Sequence, residues 1–138
     1  MTITALTTGL QTVSATGAVS PTAGVDISAM SKQVTVCIEC IQLTASKTIA
    51  VQLETSTNAF TASVAANVFQ FIGAEGEGGT TFTAGDYTQA TDKRSVIVKQ
   101  QLPFSAANYF GASGAKARLN VIGVDGSAGG TFNAWLET

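Results

Sequence analysis

Apolar and polar residues alternate with a period of two along much of this chain. From Gln33 to Cys40 the pattern sets Val34, Val36 and Ile38 on one face and Thr35, Cys37 and Glu39 on the other. Thr48 to Glu54 repeats it, with Ile49, Val51 and Leu53 against Gln52 and Glu54. Lys116 to Ile122 sets Ala117, Leu119 and Val121 against Arg118 and Asn120. Thr131 to Glu137 sets Phe132, Ala134 and Leu136 against Asn133, Trp135 and Glu137. Successive side chains leave a pleated backbone on opposite sides, so alternation of this kind predicts strands with one buried face. Asn67 to Ile72, with Phe69 and Phe71 on one side, and Arg94 to Gln100, with Val96 and Val98 bracketing Ile97, predict two more. Weaker strand signals lie between Thr2 and Val13 and near Val25. A helical period nowhere persists, and one short helical turn is expected within Ser105 to Gly114.

The connections are rich in Gly, Ser, Asn and Asp. Asp125-Gly126 supplies the positive-φ chemistry of a hairpin between the last two strands. Gly73 to Thr91 is a long Gly- and Thr-rich excursion, of a length that is usually functional or mobile, with Phe82 and Tyr87 as its expected anchors. Short strands without helices to cover a parallel sheet predict an all-β fold. The expected architecture is an antiparallel β-sandwich, jelly-roll or Ig-like, of about 7–8 strands. Residues 25–138 form the expected sandwich domain. Residues 1–24, in which Ile3, Leu6, Leu10 and Val13 are spread among threonines and serines, are expected to be an N-terminal arm lying on a neighbouring subunit or an edge strand.

Composition narrows the function. The 138 residues are enough for one domain with a core of its own. Only 12% are charged, about half the usual share, which fits a surface packed against neighbours because charge is depleted at interface cores. Seven basic and nine acidic residues give a net charge of −2. The basic residues are scattered, so no stripe exists to neutralise phosphates, and nucleic acid is not an expected partner. No apolar run is long enough for a membrane-spanning helix, and the N-terminus lacks the basic and apolar regions of a signal peptide. The expectation is synthesis and folding in a cytosol, with no membrane contact.

There is no histidine. Its absence removes the commonest general acid-base group and metal ligand, together with every Ser-His-Asp or Cys-His arrangement. Cys37 and Cys40 have C-x-x-C spacing, but positions three apart on a strand face opposite ways, so they read as small hydrophobes rather than a zinc or redox pair. Glu75, Glu77 and Asp86 could offer oxygen ligands to calcium, yet their spacing fits no known calcium loop and they read as a solvated loop. Glu39 and Glu54 form a conceivable glycosidase pair, but both occupy ordinary outward positions. The run from Gly73 to Gly79 lacks the Lys-Ser/Thr and the following helix of a phosphate loop. Trp135, on the face opposite Phe132 and Leu136, is a candidate interface anchor or, equally, core cover under the N-terminal arm.

Val25-Asp-Ile-Ser, the Val34-Thr-Val strand, Ile49-Ala-Val-Gln-Leu-Glu-Thr-Ser, Ala59-Phe-Thr and the closing Arg118-Leu-Asn-Val-Ile-Gly strand together resemble the small virion structural proteins of tailed bacteriophages. The resemblance covers about residues 25–138. It implies a non-enzymatic β-sandwich of the capsid decoration, or cement, type that binds and stabilises the major capsid shell. Its implied location is the virion, after synthesis in the host cytoplasm. Implied partners are the major capsid protein or other virion subunits, in a homo-oligomer, with no catalytic residue, cofactor or metal. The long Gly73 to Thr91 excursion departs from the simplest decoration proteins. Expected interface residues are Ile3, Leu6, Leu10, Val13, Phe82, Tyr87 and Trp135. Two other readings remain open: a tail or fibre component of the virion, and a carbohydrate- or cell-surface-binding module. The second normally needs a row of exposed aromatics, and only Trp135, Tyr87 and Tyr109 are available here.

Overall fold

The computed structural model describes residues 1–43, 48–62, 64–73, 86–89, 96–102, 107–124 and 130–138. Within them the chain is all β, with no helix. The strands are β1 (Ile3–Ala5), β2 (Gln11–Val13), β3 (Gly17–Ala18), β4 (Val25–Asp26), β5 (Thr35–Leu43), β6 (Thr48–Ser56), β7 (Val64–Gly73), β8 (Asp86–Gln89), β9 (Val96–Gln101), β10 (Lys116–Val124) and β11 (Gly130–Glu137). Sheet I runs β1-β11-β5-β9, with β2 following β1 along the same side of β11. Sheet II runs β3-β10-β6-β7-β8, with β4 following β3 along β10. All pairings are antiparallel except β7 with β8, which is parallel.

On β5, β6, β10 and β11 the period-two reading places the inward residues correctly; the side chains of Phe69, Phe71, Val96 and Val98 lie outside the described residues. Val36, Ile38, Ala134 and Leu136 of sheet I and Ile49, Val51, Leu53, Ala117, Leu119 and Val121 of sheet II are buried in one continuous cluster. Removing their apolar surface from water, at roughly 25 cal/mol per Å², is the main force holding the sheets together. The end of the core is closed by a run of tight turns over residues 107–115, which inserts Phe110 and Ala107. Gly111 N–H donates to Ile27 O at 2.9 Å and Ile27 N–H to Ala115 O at 3.1 Å, tying that run to the residue after β4. The helical turn expected between Ser105 and Gly114 is therefore a series of turns where the chain is described. β8 was not expected: within the glycine-rich excursion, Asp86 to Gln89 pairs alongside Gln70 to Gly73.

The N-terminal segment lies on its own domain. β1 and β2 border β11, and β3 borders β10 ahead of β4, so residues 1–24 supply an outer strand to both sheets. Leu6 and Val19 enter the core cluster. Where β1 ends, the Thr7 hydroxyl takes the place of a main-chain partner. It accepts from Ala134 N–H at 3.2 Å and donates to Asn133 Oδ1 at 3.1 Å. An arm reaching out to a neighbour does not describe this segment, because its two innermost apolar side chains are committed to the chain's own core.

Candidate functional site

β5 and β6 are consecutive in sequence but belong to different sheets. Their outward residues therefore point to opposite sides of the molecule. Glu39 lies on the outer face of sheet I and Glu54 on that of sheet II, so they cannot flank one scissile bond as a glycosidase pair must.

Glu54 is also not the ordinary outward residue its sequence position suggests. Its side chain is only 4% exposed and meets Arg118 Nε at 2.5 Å. β10 and β6 place Arg118 and Glu54 directly opposite each other. The guanidinium reaches on to the main chain of the N-terminal segment, donating to Thr22 O at 2.7 Å, and stacks 4.0 Å from the Phe60 ring. Phe60 is held there by an unusual turn. Ala59 and Phe60 both have positive φ, near 57° and 61°. Buried Ser56 supports them, its Oγ accepting from Asn58 N–H at 3.1 Å and Phe60 N–H at 3.0 Å. Gly24 fits beneath the ring at φ +80°, where a Cβ would come within 2.9 Å of both Phe60 Cε2 and Ala117 O. Four separate parts of the chain thus meet around one guanidinium. These contacts explain why a non-glycine residue tolerates the left-handed region here.

The outer face of sheet I carries a second cluster. One row across the sheet is Ala5, Trp135, Cys37 and Lys99. In the next row stand Ile3, Glu137, Thr35 and Gln101. Trp135 is half-buried; its Nε1–H donates to Glu137 Oε1 at 3.4 Å, and Lys99 Nζ lies 3.0 Å from the same carboxylate oxygen. The hydrogen bond from Lys99 is the largest cause holding the Glu137 carboxyl below its usual range.

Cys37 is fully buried although it faces outward. Loss of water first, and then the nearby Glu137 carboxylate, push its thiol up to about 11. A thiol so placed is a packed hydrophobe and not a nucleophile. Alkylation of the native protein at pH 8 is therefore expected to leave Cys37 unmodified until denaturant is added, as peptide mapping would show. The raised pKa also sets a sign for stability. The unfolded thiol ionises first, so this contribution is complete below about pH 9 and is lost as pH rises toward 11.

Among the described residues, a shallow cleft of about 400 Å³ is lined by Thr2, Thr4, Asp26, Ala29, Met30, Ser31 and Thr138. Asp26 Oδ1 there is already engaged by Ser28, accepting from its hydroxyl at 2.6 Å and its N–H at 2.8 Å. Those bonds hold its carboxyl below the ordinary value. The lining offers hydroxyls and one committed carboxylate, with no base beside a nucleophile. Among the described residues no group of three potential metal ligands comes together.

The expected interface residues are dispersed. Ile3 and Leu10 are exposed, at 61% and 58%. Leu6 is not an interface residue, because its side chain is wholly inside the core. Val13 lies in β2 opposite Gly130, and Tyr87 in β8 opposite Phe71. Phe82, Glu75 and Glu77 lie outside the described residues. Ile3 and Trp135 share the outer face of sheet I, one strand and one row apart. Sequence reasoning placed Arg118 outward on its strand without giving it a role, and did not single out Phe60. Comparison with family models, with curated proteins and with solved structures finds no match to the chain.

Proposed function

We propose that the protein is a non-enzymatic structural component of a virus particle, of the decoration type that binds a capsid shell. The observation that carries this is the strand order. Take β1 with β2, and β3 with β4, as one run each, and set β8 aside as an insertion. The first run then pairs with the last, β11; the second with β10; β5 with β9; and β6 with β7. We read this as a long hairpin rolled on itself, with successive pairs of runs falling in opposite sheets, an order that fits the wrapping of a jelly-roll sandwich. Capsid proteins, lectins and cupins use it.

A fold alone does not select among these, so composition must. A chain without histidine lacks the usual metal ligand of the cupin class. A lectin face needs an open aromatic platform, whereas Trp135 is half-buried and bound to Glu137. The sparse charge fits a protein held among neighbours, and repeated weak contacts suffice on a symmetric shell.

The test is to purify particles from the source that carries the gene and to locate the chain by mass spectrometry and cryo-electron microscopy. The expected result is many copies in a regular array on the shell. Density confined to the tail would move the chain to the tail or fibre class. Absence from particles, combined with glycan binding, would replace the proposal with a carbohydrate-binding module.

A further inference from the structure

From the geometry of β1, we infer that the N-terminal edge of sheet I is a self-association surface, where β1 of one copy pairs antiparallel with β1 of a second and makes sheet I continuous across both. Thr2 and Thr138 exchange N–H to O bonds of 2.7 and 2.9 Å, and Leu6 N–H donates to Ala134 O at 2.9 Å. In an antiparallel ladder bonded residues alternate with non-bonded ones. Thr2, Thr4 and Leu6 therefore turn their main-chain groups toward β11, while Ile3 and Ala5 turn theirs away from it, along the open edge.

Natural proteins usually guard such edges with charge, lysine above all, because unpaired strand groups template further pairing. Among the described residues this edge carries no such guard. Between Thr2 and Val25 there is no Asp, Glu, Lys or Arg, and the first charged side chain is Asp26. The opposite edge of the same sheet, β9, does carry Lys99. Beside β1 the only charged side chain on the facing stretch of β11 is Glu137, already paired with Lys99. Two copies can meet here without like-charge repulsion.

The occupant that fits is a second copy. With a two-fold axis at Thr4, Ile3 stands opposite Ala5 of the second copy and Ala5 opposite its Ile3. Each such pair can exchange two bonds, giving about four main-chain hydrogen bonds. Large then meets small on the outer face. Ile3 of the second copy lies in the row of Ala5, Trp135 and Cys37, and can extend over the Ala5 methyl toward the Trp135 indole. Its exposed side chain would be covered in the process.

Self-association is independent of shell binding, and the two separate in one set of variants. Ile3→Lys installs the missing guard on an exposed side chain. Ala5→Pro removes an N–H that bonds nothing among the described residues, at an edge position where proline is tolerated. Sedimentation equilibrium of the full chain is expected to show a reversible dimer whose dissociation constant rises by at least about tenfold in each variant, with an unchanged melting temperature. A wild-type protein that stays monomeric at millimolar concentration, or a dimer that survives Ile3→Lys, overturns the inference. Should Ala5→Pro not fold, Ile3→Lys alone decides. An Ile3→Lys chain that loses the dimer yet still enters particles leaves the proposed function standing. A wild-type chain that dimerises but is absent from particles overturns only that function.

Discussion

Deleting residues 2–20 is expected to abolish folding, and not to yield a smaller domain that has merely lost an attachment. The deletion removes β1, β2 and β3 together with Leu6 and Val19 of the core. Leu6 by itself, as Leu6→Ala, should cost about 2–5 kcal/mol, the usual range for a buried leucine. A domain of this size typically has about 5–15 kcal/mol in all. The deletion also strips the main-chain bonds of Leu6 with Ala134 and of Val19 with Leu119, leaving β11 and β10 as raw edges over an opened core. Circular dichroism and the near-ultraviolet signal of Trp135, the one tryptophan, would report the loss directly. A truncated chain that melts cooperatively near the wild-type temperature would show that the segment is no part of the folding unit. Leu6→Ala then gives the graded version, measurable by denaturant titration.

Arg118→Met is expected to destabilise the fold by about 3 kcal/mol or more, because it takes away the guanidinium facing a carboxylate that is 4% exposed. The same change releases Thr22 O and the Phe60 ring, so the loss reaches both the N-terminal segment and the strained turn after β6. Replacing both partners, as Glu54→Leu with Arg118→Met, should recover much of the loss, since a well-packed apolar pair avoids the cost of burying charge. The double-mutant cycle by urea denaturation measures the coupling. Single and double variants equally destabilised would mean that the pair contributes by shape alone. An Arg118→Met protein of wild-type stability would mean that water reaches Glu54 freely.

What the sequence determined by itself was the identity of the long strands and their inward faces. Ile49, Val51 and Leu53, or Ala134 and Leu136, announce themselves because side-chain direction on a strand is a local property repeating every two residues. Partners are not local. The same alternation suits any register and either sheet, so nothing in the sequence showed that β5 and β6 part company and carry Glu39 and Glu54 to opposite faces. Two outward residues proved buried, Cys37 and Glu54, and each is covered by side chains from other strands; Arg118 lies 64 positions from Glu54. Burial on an outer face depends on what folds across it, which is a tertiary matter. The N-terminal segment was the least legible part. Strands of two or three residues contain hardly one period, so sequence could not separate Leu6 and Val19, which enter the core, from Ile3 and Leu10, which stay outside. Only the closing of both sheets by their outermost strands decided that, because an apolar side chain goes inside where the assembled sheets leave room for it.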